Sequence, residues 1–250
     1  MNEALKELLF KIADDQLVLG HRNSEWTGLG PMLEEDIAFS SMAQDKIGQS
    51  LAFYQILEQL GEADPDTTAF GRSDEAFRNC QMVELPNAEY SFSLVRHFLF
   101  DTSEVLRFGM LKRSSCEPLA QLAVKIGGEL KYHLMHGRTW IKKLGNATDD
   151  SISRLQVELD ILMPYALGIF EPSPLEDQLI SEGIFEGEEK LKELWMDEIS
   201  GLISQTQLKI PDVSTLEPVF GGRRGQHTEH LVQLIDEMTE VLRIDPDAEW

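Results

Sequence analysis

Apolar residues recur along this chain in steps of three and four, and no period-two stretch of consequence interrupts them, so the pattern predicts helices and no sheet. Leu5, Leu8/Leu9, Ile12, Gln16 and Leu19 share one face of a first helix over about 3–22. Gly20 marks its end, and 23–31 reads as a loop by composition. A second helix covers about 32–60 and opens on Glu34, Glu35 and Asp36, acids that suit the positive end of a helix dipole. Gly61 stops it, 62–66 turns, and 66–88 is irregular with a short helix around 74–77. The third helix, about 89–112, carries Leu94, Phe98, Asp101, Val105 and Phe108 on one stripe. The fourth starts at Pro118 and ends at Gly145, with its inner stripe drawn through Ile126, Glu129, His133, His136/Gly137 and Trp140.

Four long helices in two hairpins predict an all-α four-helix bundle over about 3–145. Additional helices continue to 242: 149–168, which Pro164 should kink or end, then 186–205 and 228–242. Between them lie a linker at 171–174 and a Pro- and Gly-rich loop at 210–225. The 250 residues read as a single domain.

Charge narrows the function classes. Forty-four acids against 22 bases leave a net charge of −22, which repels phosphate backbones and anionic lipid, so neither nucleic acid nor membrane is an expected partner. The longest apolar stretch, 161–170, is half a membrane span and contains Pro164. Ionised residues scattered through the first turns argue against a signal peptide, and a cytoplasmic location is expected. Cys80 and Cys116 lack any paired spacing and read as reduced thiols.

The candidate chemistry lies in polar residues on core-facing stripes. Asp45 or Lys46 with Gln49 marks the second helix, Asp101 with His97 and Glu104 the third, and Glu129 with His133 the fourth. Together, Asp101, Glu129 and His133 suggest one shared buried polar network. Carboxylates and imidazoles converging from facing helices are how bundles hold a pair of iron or manganese ions, usually with Glu-x-x-His on two helices. Here the pattern is incomplete. Leu130 stands three residues before His133, while Lys46 and Gln49 occupy the comparable Glu and His positions. An ammonium cannot ligate a metal and a carboxamide is a poor ligand for iron, so no metal and no catalytic residue are expected. Lys46 could instead supply the positive charge of a metal, paired with Asp101 or Glu129.

Elsewhere, Arg223 and Arg224 sit in a Gly-rich loop before a helix, as a candidate contact for an anion or for a partner's carboxylates. His227 and His230 are better read as packing or facing solvent than as metal ligands, with Thr228 or His227 at the helix start, and Asp14-Asp15 reads as a solvated pair. No Ser-His-Asp spacing, P-loop or dinucleotide fingerprint occurs.

Longer strings add a resemblance. Leu17–Leu19 through Glu25-Trp26, Asp45–Gln49, Glu129–Leu134, Arg138–Trp140 to Leu144–Thr148, Gly221–Leu231 and the final Trp250 resemble the C-subunit family of phenylacetyl-CoA epoxidases. That resemblance implies a ferritin-like fold in a bacterial monooxygenase complex of phenylacetate catabolism. The complex epoxidises the aromatic ring of phenylacetyl-coenzyme A with dioxygen and NADPH-derived electrons. It implies that the homologous A subunit carries the di-iron centre and that this chain is its catalytically silent, structural partner, binding no cofactor itself. Contacts with other epoxidase subunits, and a homodimer when alone, are further expectations. Laid on the A-subunit pattern, Asp101, Glu129 and His133 are vestigial positions, and Gln16, Lys46, Gln49 and Leu130 are lost ones.

Overall fold

The computed structural model describes residues 2–245; Trp250 lies outside them. Ten α-helices are described: α1 (Asn2–Ser24), α2 (Leu33–Gln59), α3 (Pro65–Phe70), α4 (Gln81–Glu84), α5 (Tyr90–Leu111), α6 (Glu117–Leu144), α7 (Asp149–Leu167), α8 (Glu176–Ser181), α9 (Glu188–Ile203) and α10 (Glu229–Ile244). No strand occurs among the described residues. The hairpins α1–α2 and α5–α6 form the four-helix bundle, and α7 and α9 pack along α5.

Local chemistry sets the helix ends. Asp64 caps α3 ahead of Pro65, Thr148 and Ser151 form a reciprocal capping box on α7, and Thr228 caps α10, as the sequence suggested. Residues 66–88 hold more order than the pattern predicts, because α3 and α4 are too short to show a period. Pro164 does not end α7. The helix runs three residues further, to Leu167, and the residue whose carbonyl loses its partner, Asp160, is on the exposed side.

Helix α1 is the centre of the molecule. Every residue from Lys11 to Gly20 is buried, because α2 covers one side while α4, α8 and the 221–224 loop cover others. The approach of α2 is close: a Cβ on Gly20 would stand 2.9 Å from Ile47 Cγ1. A helix covered all round is ordinarily apolar all round, yet α1 carries Lys11, Asp14, Asp15 and Gln16 inside. Each of these therefore has a partner.

The inner stripe of α6 differs from the one drawn on the sequence. Leu119, Ala123, Ile126, Leu130, His133, Gly137 and Ile141 are buried, whereas Glu129 is exposed at the edge facing α2. The two stripes lie about 100° apart at that position, and a leucine fills the core where the carboxylate was expected.

Candidate functional site: a charged interior

The midpoint of the bundle is occupied by an ammonium. Lys46 of α2 and Asp101 of α5 are fully buried, with Nζ 2.9 Å from Oδ1. Nζ also lies 3.4 Å from Gln16 Oε1 and 5.0 Å from the centroid of the Phe100 ring. Burial alone would raise the Asp101 carboxyl, but Lys46 and His97 overcome it and hold it well below the usual carboxylate range.

His97 carries this cluster back to α1. Its Nδ1 lies 2.8 Å from Asp101 Oδ2, and its Nε2 lies 2.8 Å from the side-chain oxygen of Asn23. Burial pushes the imidazole down to about 4, against the pull of Asp101, so at neutral pH the ring is neutral and has a single N–H. Nδ1–H donates to the Asp101 carboxylate, leaving Nε2 as an acceptor. Turning the Asn23 amide by half a rotation presents its Nδ2, a buried donor otherwise without a partner, to Nε2 and satisfies both groups. The folded pKa lies below the unfolded value, so the neutral ring's contribution is complete above about pH 6.5. It is lost as pH falls towards 4, about 3 kcal/mol in all. Ring-nitrogen chemical shifts should show His97 neutral at about pH 5.5; an imidazolium at that pH would contradict this assignment.

A second group of charges continues from the first through Gln16, whose Nε2 donates to Glu104 Oε2 at 2.6 Å. Burial raises Glu104 to about 7, with Arg107 only partly offsetting it. Arg107 donates to Glu104 Oε1 at 3.3 Å and grips Glu188 of α9 with two nitrogens at 2.6 and 3.2 Å. Lys11 closes the string, 2.5 Å from Glu188 Oε1. Lys46, Gln16, Glu104, Arg107, Glu188 and Lys11 thus form a continuous line of buried polar groups between α1, α2, α5 and α9.

The other candidate residues are placed differently from expectation. His133 is buried, but it pairs with Asp45 of α2, 3.0 Å away. Glu129 accepts from Gln49 Nε2 at 2.9 Å, at the surface. Asp101, Glu129 and His133 therefore belong to three separate pairs, because the α6 register carries Glu129 off the core.

Asp14 and Asp15 are buried, and the solvated reading is overturned. Asp14 accepts from Tyr54 and Arg72, each at 2.5 Å; Asp15 meets Arg223 at 2.7 Å and the backbone N–H of Cys80 at 2.8 Å. Arg223 is therefore no free anion site. Its two terminal nitrogens are taken up by Asp15 and by the carbonyls of Lys11, Arg78 and Ile169. Arg224 lies 2.9 Å from Glu171 of the same chain. Arg223 clamps its loop onto α1 and Arg224 ties the same loop to Glu171, so the contacts considered for an anion or a partner's carboxylates are made here within the chain.

Periodicity also passed over Glu35. It accepts from Tyr90 Oη, from His136 Nε2 at 2.7 Å and from Trp140 Nε1 at 2.8 Å, tying α2 to the start of α5 and to α6. The acid at a helix start was visible; its three aromatic donors, 55 to 105 residues away, were not.

A dinuclear metal centre does not fit these donors. The place between α2 and α5 is filled by a cation already bonded to Asp101, Gln16 supplies an amide, Leu130 has no donor, and His133 is engaged by Asp45. Among the described residues no three His, Cys, Asp or Glu side chains stand together as a metal site would require. What the arrangement does chemically is neutralise charge: each buried acid faces a base or a set of donors.

Residues 1–250 match the family described as phenylacetic acid catabolic protein. The chain is 33% identical to the C subunit of the 1,2-phenylacetyl-CoA epoxidase of Escherichia coli (strain K12) over 251 residues, covering 100% of both chains.

Proposed function

The chain belongs to the phenylacetic acid catabolic protein family, and from that premise we propose that it is a non-catalytic, structural subunit of a phenylacetyl-CoA epoxidase. It holds and orients the homologous A subunit, which carries the di-iron centre, and it binds no metal or cofactor of its own. The observation that carries this reading is the Lys46–Asp101 pair. An ammonium supplies at the bundle's midpoint the positive charge that a metal would supply in an active relative, and it cannot exchange ligands or electrons. Cytoplasmic residence fits a partner of that kind, and no described helix is long and apolar enough to cross a membrane.

A subunit kept permanently in a complex needs an interface of more than about 2,000 Å², comparatively apolar at its centre. Coexpression with an A-subunit homologue should give a single complex on size exclusion, with iron following the A subunit. Purified alone after growth with iron, this chain should carry none; two irons per chain would instead mean a metalloenzyme with unusual ligands. Failure to elute with the A subunit, together with a stable homo-oligomer, would also overturn the proposal.

A further inference from the structure

The Gly-rich segment 221–228 lies as a strap across α1 and α4 and leads into α10. It is pressed against the chain that precedes α4. A Cβ on Gly222 would stand 2.3 Å from the Asn79 carbonyl oxygen, and one on Gly225 would stand 2.2 Å from that of Glu75. Arg223 holds the middle of the strap to Asp15. His227 and Thr228 hold its far end, and there the pairing departs from the rest of the interior.

The acid gripped at that end is Glu84 of α4, which is fully buried. Its Oε2 accepts from the Thr228 N–H at 2.8 Å and from the Thr228 hydroxyl at 2.7 Å, and its Oε1 accepts from Asn79 Nδ2 at 3.0 Å. Three donors of this kind favour an ionised acid. Asp14, Asp15, Asp101 and Glu188 each pair with an arginine or a lysine. Among the described residues the Glu84 carboxylate pairs with neither. Its basic partner is His227, whose Nδ1 lies 2.5 Å from Oε1.

The other side of the ring fixes its protons. Nε2 lies 3.0 Å from the Phe77 carbonyl oxygen, which can only accept. A neutral imidazole has one N–H and would leave the other nitrogen's lone pair against an oxygen. Turning the ring over would put carbon at both places. A proton moved onto Glu84 would compete with the three donors already there. Only the imidazolium satisfies both contacts, and the side chain is 1% exposed, so solvent does not relieve a mismatch.

Other charges stand around the pair. Arg22 of α1 donates to the Glu84 and His230 carbonyls at 2.8 and 3.3 Å. Arg78, before α4, donates to the same Phe77 carbonyl at 2.7 Å. Both oppose a further cation, but each is spent on carbonyl oxygens, whereas Glu84 meets the ring directly. Asp15 and Arg223 neutralise one another, and on α10 Glu229 is exposed and His230 half-buried.

We propose that His227 is a proton-operated latch. Closed as the imidazolium, it opens when the ring loses its proton in alkaline solution, freeing the 225–228 end of the strap and the first turn of α10 from α4. Deprotonation removes one hydrogen bond and leaves Glu84 buried without a countercharge.

The test uses the full chain from about pH 6 to 10. Ring-nitrogen chemical shifts should show both His227 nitrogens protonated at about pH 7.5, where an unperturbed histidine is neutral. Hydrogen exchange at the Thr228 amide, corrected for the intrinsic pH dependence, should lose about tenfold in protection as the ring titrates. Amides in the middle of α5 should lose none over the same step. In His227→Gln the Thr228 amide should be poorly protected at every pH, which separates the latch from the titration of Lys11. If that variant does not fold, the parent's two titrations still decide. A bare ring nitrogen at about pH 7.5 would overturn the proposal. So would a ring that titrates while protection at Thr228 stays constant, because His227 would then be charged without holding the strap.

Discussion

Lys46→Ala should destabilise the protein by roughly 3–5 kcal/mol, the usual consequence of leaving one member of a buried ion pair alone. Asp101 is fully buried, and its remaining partner, His97, is held neutral by burial, so no cation replaces the ammonium. Part of the loss returns when Asp101 takes up a proton, and the variant should therefore be least impaired in mild acid. Chemical denaturation at about pH 5 and 8 measures both effects. The control is Lys46→Met/Asp101→Leu, which removes both charges and keeps apolar volume; it should lie far closer to the parent than the single variant does. An unchanged midpoint for Lys46→Ala would mean that the pair contributes nothing, and the view of Lys46 as the metal's electrostatic substitute would go with it. The double variant should still bind the A subunit, because both side chains are fully buried inside the bundle.

The long helices were legible in the sequence because each repeats its apolar stripe over several turns, which set most of their boundaries to within a few residues. Lys46, Gln49 and Leu130 were legible as misfits for the same reason: a lysine on an inward face contradicts the pattern around it. What failed was the phase within α6. Glu129 and Leu130 are adjacent, so a stripe drawn through either passes near His133, and only packing against α2 selects the leucine. The partners of Asp14 and Asp15 failed for a different reason. Arg72 and Arg223 lie 58 and 208 residues away, and no local period connects them. A signal did exist in α1, where Lys11, Asp14 and Asp15 fall within the turns that also carry Leu8, Ile12 and Val18. Charges interleaved with apolar residues on every side of a helix describe a central helix with satisfied charges as well as they describe a solvated one. The resemblance could not decide between these, because it concerns the ligand positions and not the clamps around them.

Glu188→Ala should be as damaging as Lys46→Ala, again by roughly 3–5 kcal/mol, because it strips a carboxylate from two buried cations at once. Glu188 accepts from Lys11 at 2.5 Å and from both terminal nitrogens of Arg107. Burial would raise its carboxyl, but Arg107 and then Lys11 bring it down to about 2. Its folded pKa is thus below its unfolded one, so its contribution is whole above about pH 4.5 and is lost as pH falls towards 2. Lys11 is in the opposite position. Desolvation lowers it to about 8 in spite of Glu188, and the nearby Arg223 and Arg107 push the same way. It shares one carboxylate with a guanidinium that holds it better. Keeping Lys11 charged is therefore a burden of about 3 kcal/mol below pH 8, relieved as pH rises from 8 to 10.5. The two residues of one ion pair should then answer differently to substitution. Lys11→Met, which retains the apolar stem and leaves Glu188 with Arg107, should be near neutral or stabilising at about pH 7, while Glu188→Ala unfolds at about 1–2 M lower urea. Equal losses from both would show that Lys11 and Arg107 share the carboxylate evenly, and that the string of charges from Lys46 to Lys11 is held at its far end by the lysine as much as by the arginine.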